Sequence, residues 1–284
     1  MKNLRGTNAI LTGASRGIGP YIAKTLAAQG VNVALAARSA GKLEDVRRAC
    51  ETAGVKAIAV ATDVTSMDDL RRLVETTERE LGAIDILINN AGIETTGTVE
   101  ALTFDEIDGL LRTNLNAPIW LTKLVMPGMI ARKRGAVVHV SSMAGKSVAP
   151  YNSIYSASKH ALNGFSDSVN YELDGTGVHM SVVCPGFVGE AGMWADRGGK
   201  APRFMSEVSP QKVANGVMKA IAGSQEVLVT PGPIRPLLAL AQIAPGLQRM
   251  IIKRMGIVAA MRDNPPPPKT PVPEPETADT TPRD

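Results

Sequence analysis

The chain has 284 residues, 44% of them hydrophobic, and a formal charge of +4 from 31 Lys and Arg against 27 Asp and Glu. That apolar share supports one substantial core, whereas the mild charge, 4% aromatic content and lack of a basic block interleaved with aromatics argue against a nucleic-acid binder. Cys50 and Cys184 make no disulfide framework, a turn arrives before any signal-peptide core, and no run of 18 residues is free of charges and breakers, so the expectation is a reducing, cytoplasmic setting without a spanning helix.

In chain order, short apolar runs alternate with longer amphipathic stretches. Strands are predicted at 8–12, 31–37, 55–61, 84–89, 136–141, 178–183 and 226–230, with helical patterns near 17–29, 40–53, 66–81, 104–132, 153–174 and 208–222. Branched, nearly continuous apolar strands suit a sheet covered on both faces. Strand–helix alternation at this spacing gives parallel pairing through right-handed crossovers. The expected architecture is therefore a single doubly wound α/β domain over 1–233, with a seven-stranded parallel sheet flanked by helices. Residues 234–263 read as an amphipathic helical extension. The tail 264–284 has eight prolines in 21 residues and a net charge of −2; such a composition cannot build a core and is expected to be disordered or polyproline II.

Between the first strand and the first helical pattern stands TGASRGIG, Thr12 to Gly19. Gly13, Gly17 and Gly19 permit a tight turn and close backbone approach to a pyrophosphate, and the helix that follows offers N–H groups and its positive dipole end. This context favours a dinucleotide site over a surface turn that merely tolerates glycine. NAD sites usually carry an acid after the second strand. Here Arg38 and Ser39 stand there, and no acid comes before Glu44. Arg38 suits a 2′-phosphate, and Arg16 offers a second charge from the glycine turn, so the expected cofactor is NADP(H). The other reading leaves Arg38 in water and Arg16 packed over an adenine.

Further on, YSASK places Tyr155 and Lys159 four residues apart, on one helix face. A cation beside a phenol favours the phenolate and brings its pKa toward neutrality. Taken alone, the pair also reads as an aromatic–basic pair on a surface helix.

Four more stretches follow in order: NNAG at 89–92, Asn114 in LRTNLNAP, Ser142 in HVSSMAG thirteen residues before Tyr155, and PG at 185–186. With the Gly13, Gly17, Gly19 spacing, they resemble the classical short-chain dehydrogenase/reductase family and its TGxxxGxG cofactor motif, over roughly residues 5–230. The resemblance implies a Rossmann-type fold and hydride transfer between nicotinamide and a carbonyl or alcohol. It implies that Tyr155 exchanges a proton with the substrate oxygen, that Ser142 holds that oxygen, that Lys159 binds the nicotinamide ribose, and that Asn114 holds a water. It also implies cofactor contacts from Gly13, Ser15, Arg16, Gly17, Ile18, Gly19, Arg38, Asp63, Val64, Asn90, Ala91, Gly92, Pro185, Gly186 and Val188, besides Tyr155 and Lys159. Residue by residue, plainer readings stand beside these: Asp63 as a strand-end helix cap, Ser142 as a turn cap with Ser141 its equal, and Asn114 as a locally bonded helix residue. One departure concerns PGFVGE, where Glu190 occupies the place of the family's Thr. A carboxylate there is repelled by a pyrophosphate unless it turns away, so the loop is expected to follow another path.

His139 is expected to be packed, His160 to point off the catalytic face and His179 to lie at the surface, and three scattered histidines propose no metal site. Segment 187–206 falls where the family has its mobile substrate loop. Phe187, Met193, Trp194, Phe204 and Met205 line an apolar site or pack on the core; Arg197, Lys200 and Arg203 meet an anionic group or water. Segment 234–255 is apolar through Leu237, Leu238, Leu240, Ile243 and Leu247, ends in Arg249, Lys253 and Arg254, and should break at Pro245 and Gly246. It reads as a cover for the substrate site, as an oligomer interface, or as a peripheral membrane contact. The function expected is an NADP(H)-dependent oxidoreductase acting on an apolar or lipid-like carbonyl or alcohol, as a homodimer or homotetramer. The alternative is a non-catalytic dinucleotide-binding regulatory or interaction protein.

Overall fold

A computed structural model describes residues 3–196 and 206–254, together with 256, 258, 259 and 262. Arg197, Lys200, Arg203, Phe204 and Met205 of the expected substrate loop, and the proline-rich tail, lie outside the described residues. Seven strands form one sheet: β1 (Asn8–Thr12), β2 (Asn32–Ala37), β3 (Ala57–Ala61), β4 (Ile86–Asn89), β5 (Gly135–Val140), β6 (Val178–Pro185) and β7 (Glu226–Val229). All neighbours pair in parallel, in the order β3-β2-β1-β4-β5-β6-β7. The helices are α1 (Gly19–Ala28), α2 (Ala40–Glu51), α3 (Met67–Glu80), α4 (Phe104–Leu111), α5 (Ala117–Ala131), α6 (Ser153–Glu172), α7 (Met193–Asp196), α8 (Pro210–Ile221), α9 (Arg235–Ile243) and α10 (Pro245–Arg254).

The sheet is buried on both faces because successive strand residues point to opposite sides. Ala9, Leu11, Val33, Leu35, Ile86 and Ile88 pack on one side with Ile22 and Leu26 of α1 and Val213 and Val217 of α8. Ile10, Ala34, Leu87 and Val137 pack on the other with Leu70 and Leu73 of α3 and Leu121 and Val125 of α5. The strand order reverses between β1 and β4, so a crevice opens outside the carboxyl ends of these two strands, where ligands bind in open α/β sheets.

The 104–132 pattern, read as one helix, is divided. Between α4 and α5 lies a π-helical turn over Arg112–Asn116. Pro118 contributes to the irregularity, since it has no N–H to give to the carbonyl of Asn114 four residues back. Single π turns gather at functional sites, and this one carries Asn114.

His139 is fully buried, edge-on to Phe165 at 6.0 Å. Burial, reinforced by the Lys159 charge, pushes its pKa down to about 3. His160 is exposed on α6. His179 departs from its surface assignment: its ring is half-buried, and Nε2 lies 3.2 Å from the Ala220 carbonyl of α8. Both cysteines are buried, and burial holds each thiol near pKa 11.

Candidate active site

The glycine turn sits at the switch point and is tied across it. Asn90, just past β4, donates from Nδ2 to the carbonyls of Thr12 and Gly13, at 3.0 Å each. In return, the Thr12 hydroxyl accepts from the amides of Asn90 and Ala91, also at 3.0 Å. Gly13 has φ 64°, and a Cβ there would stand 2.8 Å from Ala91 Cα; a Cβ on Gly19 would overlap the Gly13 carbonyl. These glycines therefore allow the turn, the helix start and the Asn90–Gly92 segment to pack at backbone distance. Gly17, at φ 61°, continues the turn into α1. Among the described residues, the amides of Arg16, Gly17 and Ile18 are given to no protein carbonyl. Unspent amides at a helix start form an anion cradle, which fits a dinucleotide pyrophosphate.

Arg38 is exposed immediately after β2. Arg16 is also exposed, with Nη1 3.8 Å from the Asp196 carboxylate of α7. Asp63 does not cap α3; Ser66 does, accepting from the Asp69 amide. Instead, the Asp63 carboxylate accepts from the Thr65 amide and hydroxyl at 2.9 and 2.8 Å, shaping the turn after β3. Val64 beside it is partly buried against the α3 face of the core.

The buried ammonium of Lys159 organises the catalytic side. Its Nζ donates to the Val140 carbonyl at 2.9 Å and lies 5.6 Å from the centre of the Tyr155 ring. Burial lowers the Lys159 pKa to about 8, and the nearby Glu94 carboxylate works in the opposite sense. Asn114 is fully buried and bonds across the site instead of locally: Oδ1 accepts from the Ile93 amide at 2.9 Å, and Nδ2 donates to the Ile93 carbonyl at 2.8 Å. A Cβ on Gly92 would lie 3.4 Å from Asn114 Oδ1, 3.5 Å from Met193 Cε and 3.9 Å from Lys159 Nζ, so Gly92 is the point on which these groups converge.

The structure separates Ser141 from Ser142. Ser141 is buried, its Oγ 3.4 Å from the Lys159 carbonyl. Ser142 is half-exposed, and its Oγ accepts from the Ala144 amide at 3.1 Å. That bond occupies a lone pair and leaves the hydroxyl proton of Ser142 available to donate.

After Pro185, the chain runs alongside the segment before α8. Gly186 donates its amide to Val229, and Val188 bridges Val208. Glu190 is exposed, with φ 65°. The Phe187 and Trp194 rings meet at a tilt of 49° with centres 4.4 Å apart, and the Trp194 indole donates to Glu207 at 2.9 Å, so this aromatic pair packs within the loop. Met193 instead joins the group around Gly92.

Three contributors were not singled out from sequence: Thr12, Ile93 and Glu94. Thr12 heads the glycine motif and was visible there. Ile93 acts through its backbone, which no residue type signals. The Glu94 carboxylate accepts from Asn152 at 2.6 Å, ahead of α6, and this contact exists only in three dimensions.

A doubly wound sheet with an anion cradle at its switch point, and a Tyr–Lys pair beside it, defines a dinucleotide-dependent oxidoreductase. The short chain dehydrogenase profile matches residues 7–200. "Ketoacyl reductase HetN" from Nostoc sp. is 42% identical over 264 residues, covering 91% of this chain and 92% of that relative. A metagenomic short-chain oxidoreductase solved in complex with NADP superposes with a TM-score of 0.70 at 34% identity, over 82% of this chain and 100% of that one. An actinorhodin polyketide ketoreductase variant solved with NADPH gives 0.72 at 30% identity, over 78% and 95%. The chain belongs to the short-chain dehydrogenase family.

Proposed function

We propose that this oxidoreductase uses NADP(H) to interconvert a ketone and an alcohol on an apolar, ketoacyl-type substrate. The observation that carries the reading is the buried Lys159 ammonium beside the Tyr155 ring, with Asn114 and Gly92 at the same point. Two of the similar proteins are named as ketoacyl or polyketide ketoreductases, and two solved relatives hold NADP or NADPH, which supports both substrate class and cofactor.

NADPH, when bound, supplies the hydride. The amides of Arg16, Gly17 and Ile18 would hold its pyrophosphate, and Arg38 its 2′-phosphate. Tyr155 gives its phenolic proton to the carbonyl oxygen as negative charge builds there. Ser142 donates a hydrogen bond to the same oxygen, and this fixed donor stabilises the developing charge. Lys159, held by the Val140 carbonyl and set beside the Tyr155 ring, favours the phenolate left behind. The wall formed by Met193 offers an apolar surface to the chain of the substrate.

The test follows NADPH oxidation by the full chain with a short ketoacyl thioester and a panel of neutral ketones, and NADP reduction with the matching alcohols. Turnover with the thioester is expected. Tight NADPH binding without turnover on any carbonyl would instead establish a non-catalytic dinucleotide-binding protein.

A further inference from the structure

Residues 231–262 contain no Asp or Glu but five basic residues, Arg235, Arg249, Lys253, Arg254 and Arg262. The chain leaves β7 and runs into two consecutive helices, α9 and α10, separated by a break at Ala244, immediately before Pro245. At the start of α9, Arg235 Nη2 lies 3.5 Å from the Glu226 carboxylate of the outer strand. Arg249, Lys253 and Arg254 are exposed. Ile252 is buried, whereas Leu237, Leu240 and Ile243 form a stripe on α9 exposed by 40, 44 and 82%, with Met250 of α10 exposed by 48%.

An apolar stripe left in water marks a contact surface, and here the charge selects its occupant. A second copy seated on the same stripe would bring two acid-free cationic segments face to face, at an electrostatic cost. An anionic lipid surface satisfies both features, taking the leucines into the acyl boundary and the basic side chains at the headgroups. The helices have nine and ten residues, far short of the roughly 20 needed to cross a bilayer, and no described helix is long and apolar enough to span one. We propose that the α9–α10 segment docks the enzyme in the plane of an anionic membrane surface, with Leu237, Leu240 and Ile243 inserted and Arg249, Lys253 and Arg254 at the headgroups.

The experiment is co-sedimentation of the full chain with vesicles of phosphatidylcholine plus phosphatidylglycerol, against phosphatidylcholine alone. Binding is expected only to the anionic vesicles and should weaken as salt rises. Replacing Arg249, Lys253 and Arg254 together by Glu should weaken it by at least about tenfold, because each basic side chain near an anionic surface adds to the attraction. Leu240→Asp with Ile243→Asp should remove binding while the melting temperature stays unchanged, since both side chains are exposed. Absence of binding to anionic vesicles at low salt, equal binding to neutral ones, or undiminished binding by the charge-reversed variant would overturn the proposal. So would a lipid-free dimer that the Asp pair dissociates, which would assign the stripe to a second copy.

Discussion

Asn114 and Ile93 exchange two hydrogen bonds, 2.9 Å into the carboxamide oxygen and 2.8 Å out of its nitrogen. The pair fastens the segment after β4 to the π turn between α4 and α5, and so holds Gly92 against Lys159. This clamp engages the same side chain that the family resemblance credits with holding a water. Asn114→Ala would leave the Ile93 amide and carbonyl without these partners. A loss of about 2–4 kcal/mol is expected from two such unmade bonds, read as a lower urea midpoint. An unchanged midpoint would show that the clamp does not contribute.

Tyr155→Phe keeps the ring against Lys159 and removes only the hydroxyl. Turnover should fall by roughly 10²–10⁴, the contribution of a positioned acid, with melting temperature and NADPH affinity near those of the parent. Steady-state rates on the thioester check this; turnover within twofold would exclude the tyrosine as proton donor.

Lys159 carries a pH signature. Its folded pKa of about 8 lies below the ordinary lysine value because burial disfavours the charge. Between about pH 8 and 10.5 the unfolded chain therefore binds more protons than the native one, and this group makes stability rise with pH across that window. Lys159→Met should erase that rise and, at pH 7, stabilise the fold by about 1–3 kcal/mol, since it removes a buried charge at the cost of one hydrogen bond. The same variant should lose turnover. Glu94→Gln removes a carboxylate that helps keep Lys159 protonated, so the basic limb of the pH–rate profile should move to lower pH. Urea titrations and rate profiles across this range would check both variants.

Arg38→Ala should weaken NADPH binding by about 1.5–3 kcal/mol, the scale of a hydrogen bond to a charged group, and leave NADH binding nearly unchanged. Fluorescence titration with both reduced cofactors reads the difference. Equal loss of both, or tighter NADH than NADPH binding by the parent, would reassign the cofactor.

Local chemistry was enough to reveal the elements and the main motifs. Short continuous apolar runs and period-3.6 patterns are set by neighbours a few residues apart, so seven strands and most helices could be read from them. The glycine turn and the Tyr155–Lys159 face are likewise local, because backbone freedom and one helical turn need no distant partner. What only the tertiary structure decided involves residues far apart in the chain. Thr12 meets Asn90 because β1 lies beside β4, an adjacency that no local pattern encodes. Ser141 and Ser142 differ because one faces Lys159 across the end of β5 and the other caps the next turn. His179 lost its surface assignment to the Ala220 carbonyl of α8, and the expected 104–132 helix opened into a π turn where Asn114 reaches Ile93. Thr12, Asn114 and Ser141 are buried polar groups that find long-range partners, and such a group stays buried only because the partner is there.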